Sequence, residues 1–421
     1  MASFQFLHCA DLHIDSPLRG LESDPDAPVD RIRRATREAF TNLVDFAIEH
    51  GVAFVLAAGD LYDGDWQDWR TGRFLVDQVR RLGEAGIPFL TIAGNHDADS
   101  VITRRLTLPA PAFTFPSRAP GTWRSEALGV CVHGQGFATR AMMDNLVPGY
   151  PPPVPGMLNI GMLHTDIDGS YGDHARYAPC TLEQLRNRGY DYWALGHIHT
   201  PQRWETPWIV FPGNIQGRHA GETGAKGATL VTVRDSTIVN AAPLYFDTVR
   251  WAHLIVDLTA AGDEDAAFAL IRAALTQARA DAEGRLLAAR VTLAGATPAH
   301  AALNRDPGNT RERVRAEALA LAGADAIWIE KVSLDIRVPV DAGAMLSPLL
   351  AEIDRLDPAE LAPEAAEWCR TMLDRAGGLR EDLKLLDKDH PLLQMITDGV
   401  IPKAMEDQAR NLLRARLAGD T

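Results

Sequence analysis

Residues 53–63, AFVLAAGDLYD, join an apolar run to oxygen ligands of metals and set the pattern for the first half of the chain. The run Ala53–Ala58 has the composition of a buried strand, and Asp60 follows shortly after its end. In an open α/β sheet the functional loops gather at the carboxyl ends of the strands. The pattern therefore predicts an α/β fold whose loops build one site, and the ligand types predict a dinuclear metal site.

The same order of strand and ligand recurs after four other strand-like runs, which are Phe4–Phe6, Phe89–Ile92, Leu158–Ile160 and Tyr192–Leu195. With Asp60 included, the predicted metal ligands are Asp11, His13, Asp60, Asn95, His164, His197 and His199. Two pairs, at residues 11 and 13 and at residues 197 and 199, are spaced two apart. In extended backbone this spacing turns both side chains of a pair to the same side, so we expect each pair to converge.

These residues suit a two-metal phosphoesterase, which needs one carboxylate shared by both ions and neutral ligands that leave positions for the substrate. Asp60 falls between the other ligands on the central strands and is the predicted bridge. We expect the first ion to be bound by Asp11, His13 and His199, and the second by Asn95, His164 and His197. Mixed oxygen and nitrogen ligands suit manganese, iron or zinc better than calcium.

Two further groups of residues are predicted to act on the substrate. His96, next to a ligand, is expected to protonate the leaving oxygen or to stabilise its charge. Asp97 is predicted to orient the imidazole of His96, and Asp63 to orient an imidazole or a loop. Arg218 and His219 lie in a polar, glycine-rich loop after the last ligands and are predicted to line the substrate groove. No serine or cysteine nucleophile is suitably placed, so direct hydrolysis is expected.

The order of elements predicts three regions. Strand and helix patterns alternate as βαβαβ at the start of the chain, which favours a parallel sheet with right-handed crossovers. We assign this first domain to residues 1–249. A second alternation of strands and helices predicts a small α+β domain over 250–341. Residues 342–421 show only helical segments, broken at prolines, and form a predicted helical C-terminal region.

The composition limits the class of protein. A chain of 421 residues is too long for one ordinary core, and 46% hydrophobic with 23% charged residues is typical of a globular protein. The four cysteines form no CxxC pair, which argues against a disulfide scaffold and favours the cytoplasm. We expect no leader and no membrane span. The net charge of −14 gives no basic footprint for nucleic acid, although bound cations would offset part of it.

Several motifs resemble those of a known superfamily. GD, GNHD and GHIH, at residues 59–60, 94–97 and 196–199, are similar to motifs of the calcineurin-like metallophosphoesterases. GDLYDG lacks the arginine of GDxVDRG, which disfavours the protein serine/threonine phosphatase branch. The segments CADLHIDSPLRGL, AAGDLYDG, AGNHD, YAPCTLEQLRNRGYDYWALGHIH and FPGNIQGRH more closely resemble the SbcD-type DNA repair exonuclease family, in particular its YhaO-like members.

This resemblance implies a four-layer αββα metallophosphoesterase sandwich, with a small α+β domain that caps the active site and helps to hold DNA. It implies two divalent metal ions, manganese foremost, bound by the seven predicted ligands, and a catalytic His96. It also implies an SMC-like ATPase partner of the SbcC or YhaN type, with residues 342–421 as the expected docking element. A homodimer is compatible with it.

We therefore expect a metal-dependent DNA exonuclease or endonuclease that works with an ATPase partner in DNA repair. The acidic net charge favours an alternative, a small-molecule phosphodiesterase such as one that acts on cyclic nucleotides. A DNA-end-binding scaffold subunit with weak activity is the alternative from a different class. The length, the second domain and the motif match favour the nuclease.

Overall fold

The computed structural model describes residues 2–16, 27–63, 69–99, 106–167, 177–323, 325–339 and 403–419, with isolated positions 351, 353, 355, 363, 367 and 371. The chain divides into two compact units. The first comprises Met1–His253, Arg279–Ala289 and Ala324–Glu330, and the second comprises Leu254–Ala278, Arg290–Gly323 and Lys331–Thr421. Most of the predicted helical region 342–421 lies outside the described residues.

The strands of the described chain are, in order, β1 Phe4–Cys9, β2 Val55–Ala57, β3 Phe89–Thr91, β4 Phe113–Thr114, β5 Gly121–Ser125, β6 Val130–Gln135, β7 Leu158–His164, β8 Tyr192–Gly196, β9 Gln202–Trp204, β10 Trp208–Phe211, β11 Gly227–Arg234, β12 Thr237–Tyr245, β13 Val249–Asp257, β14 Leu286–Ala296 and β15 Ile327–Arg337. The α-helices are α1 Val29–Glu49, α2 Trp69–Glu84, α3 Asn95–Asp99, α4 Leu182–Asn187, α5 Glu264–Asp281, α6 His300–Arg305, α7 Pro307–Ala322 and α8 Lys403–Gly419. A short 3-10 helix covers Val147–Gly149.

Two six-stranded sheets form the body of the first unit. The first sheet has the order β12-β11-β1-β2-β3-β4, and its strands β1 to β4 are parallel. The second has the order β5-β6-β7-β8-β10-β9, and its four central strands are parallel. The parallel core predicted from the βαβαβ pattern is therefore confirmed.

The two sheets pack face to face, with helices on their outer faces. Alternate residues of β1 show this arrangement, since Phe6 belongs to the core between the sheets and Leu7 to the core beneath α1 and α2. Ile160 of the second sheet lies in the same inter-sheet core as Phe6. Leu185 of α4 is buried against the outer face of the second sheet together with Trp193. The result is the predicted four-layer αββα sandwich.

The second unit contains α6, α7, α8 and most of α5, together with parts of the strands β13, β14 and β15, which form a three-stranded sheet in that order. Phe268, Ile271 and Leu275 of α5 are buried at helical spacing, so one face of the helix is apolar. The guanidinium of Arg313, on α7, stacks 3.8 Å above the ring of Phe268. These elements have the α+β character that was expected of this segment.

Four strands of the sandwich were not predicted, β4, β5, β9 and β12. β12 is mostly exposed and carries Pro243, which is tolerated because the strand lies at the edge of its sheet. A strand of this kind lacks the apolar alternation that sequence patterns detect. Among the described residues, no helix combines the length and apolar character that crossing a bilayer requires.

Candidate metal centre

All seven predicted metal ligands lie at or just beyond the carboxyl ends of parallel strands. They are Asp11 and His13 after β1, Asp60 after β2, Asn95 after β3, His164 at the end of β7, and His197 and His199 after β8. The first four belong to loops of one sheet and the last three to the other. Because the sheets pack face to face, loops from both contribute to one site.

Asp11, His13 and His199 form a first cluster, in which one ligand atom of each residue lies within 4.8 Å of the others. Nε2 of His13 lies 3.2 Å from Nε2 of His199. Nε2 of His199 lies 3.9 Å from Oδ1 of Asp11. One cation could therefore be bound by all three side chains.

Asp60 connects this cluster to a second group of ligands. Its Oδ2 lies 3.8 Å from Nε2 of His13 and 3.5 Å from Nε2 of His164. Nε2 of His164 in turn lies 3.0 Å from Oδ1 of Asn95. Asp60 is thus close to ligands of both predicted ions, as a bridging carboxylate must be.

His197 borders the centre in a different way. Its backbone N–H donates to both carboxylate oxygens of Asp11, at 3.1 and 3.0 Å. Its ring lies against that of His164, with the centroids 5.3 Å apart. His197 therefore fixes Asp11 through its backbone and places its ring beside the second group of ligands.

The backbone at these ligands is left-handed, which corrects the expectation that the paired ligands lie on extended strands. The φ angle is 51° at Asp11, 40° at His13, 53° at Asp60 and 103° at His197. Residues other than glycine adopt this region rarely, at a cost of about 1–3 kcal/mol each. Left-handed residues just after the strands, and not alternation along them, aim these side chains.

The glycine of the GNHD motif lets Asp60 approach α3 closely. A Cβ atom at Gly94 would overlap Oδ1 of Asp60. The same oxygen accepts a hydrogen bond from the backbone N–H of His96 at 2.9 Å. The motif therefore supplies a ligand and also the backbone that holds the predicted bridging carboxylate.

The charge balance of the site fits bound cations. Burial alone would lower the pKa of His164, but the carboxylate of Asp60 raises it to about 9. Nδ1 of His164 faces the carbonyl oxygen of Ala58 at 2.9 Å, so positive charge is stabilised at Nε2, beside Asp60. Nε2 of His13 faces another imidazole nitrogen, and a shared cation relieves the repulsion between two such lone pairs. The residues present thus fit two divalent cations.

The partner of His96 differs from the predicted one. Nδ1 of His96 lies 3.1 Å from Oδ1 of Asp63. Asp97, which was expected to orient this imidazole, holds the surrounding backbone instead. Its carboxylate accepts hydrogen bonds at 3.0–3.2 Å from three backbone N–H groups, those of Gly94, Leu61 and Tyr62. The orienting contact with His96 therefore belongs to Asp63.

Asp63 also changes the acidity of His96. Burial would lower the pKa of His96, but the hydrogen bond to Asp63 and the negative charges of Asp60 and Asp63 outweigh it and raise the pKa. The hydroxyl of Ser16 donates to Asp63 at 2.5 Å, which fixes the carboxylate in turn. An imidazole with a raised pKa and an anionic partner is suited to give up a proton as a general acid.

Arg218 and His219, the predicted substrate residues, differ in exposure. The side chain of Arg218 is 15% exposed and forms an ion pair with Glu222 at 2.8 Å, whereas that of His219 is 65% exposed. Glu222, a buried acid in the same glycine-rich loop, was not predicted from the sequence. Burial would raise the pKa of Glu222, but hydrogen bonds from His199 and Arg218 hold it well below its usual range. Its position shortly after the segment FPGNIQGRH was the available signal.

Two models of protein families match the chain. The calcineurin-like phosphoesterase model matches residues 4–201, and the model of the middle domain of metallophosphoesterase YhaO matches residues 251–337. The first match contains all seven predicted ligands and His96. Calcineurin-like phosphoesterases use divalent metal ions, in agreement with the donor set of this site.

The chain is also similar to curated proteins. It is 34% identical over 303 residues, 71% of this chain and 73% of the relative, to the uncharacterized metallophosphoesterase YhaO of Bacillus subtilis. It is 25% identical to the DNA double-strand break repair protein Mre11 of Aeropyrum pernix, over 97% of this chain and 99% of that one. Mre11 of Sulfurisphaera tokodaii is 31% identical, over 55% of this chain and 60% of the relative. With this similarity and a ligand set drawn from both sheets, the chain belongs to the calcineurin-like metallophosphoesterase family, in the branch that includes YhaO and Mre11.

Proposed function

We propose that the chain is a DNA nuclease that hydrolyses phosphodiester bonds with two divalent cations, manganese foremost. The observation that carries this proposal is the position of His96, whose ring centroid lies 5.1 Å from that of the predicted ligand His13 while Asp63 holds its Nδ1. A general acid beside a dinuclear site suits the cleavage of a phosphoester. The similarity to Mre11 proteins, which are named for DNA double-strand break repair, favours DNA as the substrate.

The ligands divide into three roles under this proposal. Asp11, His13 and His199 would hold one cation, Asn95, His164 and His197 would hold the other, and Asp60 would contact both. When bound, the cations would supply Lewis acidity at the phosphoryl group and lower the pKa of a water nucleophile.

His96 would provide the proton that the leaving oxygen requires. Its Nδ1 faces Asp63, so Nε2 is the nitrogen that would hold the transferable proton. Asp63 would keep the ring in one orientation and stabilise the imidazolium before transfer. General acid catalysis of this kind contributes typically about 10²–10⁴-fold to a rate.

Binding of DNA requires local positive charge, because the chain as a whole carries a net charge of −14. The cations would supply part of it. Arg140, which is exposed and whose charge acts on His96, would supply more, together with Arg218 and His219. The match of residues 251–337 to the YhaO middle domain supports assigning 250–341 to a capping domain that helps to hold DNA.

The partners form a further part of the proposal. We propose that an SMC-like ATPase of the SbcC or YhaN type docks on the helical region 342–421, in which α8 is the described helix, and that the chain works in the cytoplasm. A homodimer would place two such sites in one assembly. Co-purification of the full chain with the ATPase, and its loss when residues 342–421 are deleted, tests this part.

The activity is tested by incubating the manganese-loaded chain with linear duplex DNA, with single-stranded DNA and with a small phosphodiester. His96→Ala serves as the inactive variant, and His50→Ala, at an exposed histidine after α1, serves as the matched control. We expect DNA cleavage by the wild type and by His50→Ala, and a loss of about 10²-fold or more in His96→Ala with metal content unchanged.

Two results would contradict the proposed nuclease activity. Hydrolysis of the small ester alone, with and without the ATPase, would indicate the small-molecule phosphodiesterase. Binding of DNA without cleavage by fully loaded protein, again with the ATPase present, would indicate the scaffold subunit.

A further inference from the structure

One loop, residues 214–226, lies against the first cluster of ligands, and we refer to it as the Glu222 loop. Asn214 begins it with a parallel bridge to the residue that follows β1. The indole N–H of Trp251 donates to the carbonyl oxygen of Gly217 at 2.9 Å. These contacts fix the loop at its start and near its middle, so its side chains have defined positions.

The carboxylate of Glu222 is the centre of a hydrogen-bond network in this loop. Oε1 accepts from Nδ1 of His199 at 2.7 Å and from Nη2 of Arg218 at 2.8 Å. Oε2 accepts from the side-chain amide of Asn214 at 2.9 Å and from the backbone N–H of Arg218 at 2.8 Å. Only 8% of the residue is exposed. Each oxygen thus has at least two donors, which holds the carboxylate in one place.

The contact with Glu222 determines which nitrogen of His199 carries a proton. A carboxylate can only accept, so the 2.7 Å contact requires a hydrogen on Nδ1 of His199. Arg218 also lies 3.3 Å from this nitrogen, but two donors cannot bond to each other. In the neutral ring Nε2 then has a lone pair, and it is Nε2 that faces His13 and Asp11.

The backbone of His199 is held as well as its ring. Nζ of the buried Lys226, at the end of the same loop, donates to the carbonyl oxygen of His199 at 2.9 Å. The ring and the backbone of one ligand are therefore fixed by two residues of the Glu222 loop.

His164, in the second group of ligands, has a weaker support of the same type. Nδ1 of His164 faces the neutral carbonyl oxygen of Ala58, at 2.9 Å. A carboxylate partner raises the basicity of a metal-binding imidazole more than a carbonyl does, because it is charged. His199 and His164, one histidine from each predicted cation position, therefore differ in the group that faces Nδ1, and this difference can be tested.

We propose that Glu222 is a positioning residue that fixes His199 with its Nε2 directed at the cation position of Asp11 and His13. This inference rests on the proposed dinuclear site. Removal of Glu222 is expected to lower the affinity for one of the two cations by about 10–100-fold and to leave the affinity for the other nearly unchanged.

The first test is a titration of the metal-free chain with Mn²⁺, followed by calorimetry and by electron paramagnetic resonance. We expect two ions per chain in the wild type and an exchange-coupled spectrum. In Glu222→Ala, one ion should bind with nearly unchanged affinity and give the spectrum of a single Mn²⁺. Glu126→Ala, which replaces a glutamate whose side chain is 78% exposed, is the matched control and should behave as the wild type. Two ions bound to folded Glu222→Ala with wild-type affinities would overturn the proposal.

A second test reads the tautomer directly and needs no variant at Glu222. In ¹⁵N-histidine-labelled, metal-free wild type at pH 8, the resonances of His199 are assigned by their absence in His199→Gln. We expect the hydrogen of the neutral His199 ring to be on Nδ1. A hydrogen found mainly on Nε2 would overturn it, even if Glu222→Ala does not fold.

Both tests are made without a substrate, so they are separate from the nuclease proposal. A wild-type chain that binds two ions but cleaves no DNA would contradict the nuclease and leave the role of Glu222 to be decided by these measurements. A wild type that cleaves DNA while Glu222→Ala keeps both ions would contradict only the role of Glu222.

Discussion

At the scale of single residues, Asp63 determines how His96 is held. Asp63→Asn removes the negative charge 3.1 Å from Nδ1 of His96 but keeps the size of the side chain. We expect kcat for phosphodiester cleavage to fall about 10–100-fold, with KM and bound metal nearly unchanged, because the ring loses its orienting partner and not a ligand. Steady-state kinetics with Asp77→Asn, an exposed site on α2, as the control would show this. An unchanged kcat would assign the orientation of His96 to another group.

Asp97 is expected to affect stability. In Asp97→Ala, three buried backbone N–H groups lose a charged acceptor, which costs about 2–4 kcal/mol of the free energy of unfolding. Urea unfolding, compared with Asp77→Ala, measures the loss. A variant as stable as the wild type but inactive would return Asp97 to the catalytic role that its sequence position first indicated.

Some features of the candidate site could be predicted from the sequence and others could not. The positions of the predicted ligands, from Asp11 to His199, could be inferred because each follows an apolar run, and a strand end is a defined place in the fold. The choice between Asp63 and Asp97 as partner of His96 could not be predicted, since it depends on the directions of two carboxylates that lie close together. Glu222 was missed for the same reason, because its contacts with His199 and Arg218 form only when the loop is folded.

At the scale of elements, His8 connects the two sheets. It lies on β1, and its Nδ1 and Nε2 lie 3.0 Å from the hydroxyl of Tyr192 and 3.2 Å from the carbonyl oxygen of Leu195, both on β8. Burial lowers the pKa of His8 from 6.5 to about 3, although the contact with Leu195 opposes this. The neutral ring is therefore part of the folded sandwich.

This contact predicts a pH dependence of stability. Between pH 6.5 and about pH 3 the unfolded chain binds a proton at His8 that the folded chain does not. The contribution of neutral His8 to the free energy of unfolding is complete above pH 6.5. It is lost as the pH falls below that value, at about 1.4 kcal/mol per pH unit. We expect the wild type to lose about 2 kcal/mol more than His8→Gln between pH 7 and pH 5, by urea unfolding. Equal losses in both proteins would contradict a buried, neutral His8.

The elements that were predicted share strong patterns. Apolar residues at helical spacing, with Gly51 and Gly86 as stops, predict helices over residues 30–50 and 71–85. The helices α1 and α2 agree with these bounds to within two residues. The exposed edge strand β12 has no such pattern, because only one of its faces is partly covered and its pairing comes from β11. Edge strands of this type are defined by the sheet and not by their own residues.

At the scale of the whole molecule, we expect stability to depend on cations, because most of the predicted ligands are buried. Burial raises the pKa of Asp11, because the charged carboxylate is poorly solvated there, and a bound cation would favour the charged form. Mn²⁺ at about 100 times its Kd should stabilise the fold by about 2.7 kcal/mol per site and raise Tm by roughly 5–10 °C, and a chelator should reverse this. Thermal unfolding with and without Mn²⁺ measures this rise in Tm. Asp60→Ala, which lacks the predicted bridging ligand, is the control and should respond less. A Tm that does not respond to Mn²⁺ or chelator would argue against a preformed site.

The dinuclear centre is best tested by a crystal structure of the Mn²⁺-soaked chain with anomalous diffraction at the manganese edge. We expect two anomalous peaks, one bound by Asp11, His13 and His199 and the other by Asn95, His164 and His197, with Asp60 in contact with both. A single peak, or two peaks without Asp60 between them, would contradict the dinuclear centre on which the proposed function rests.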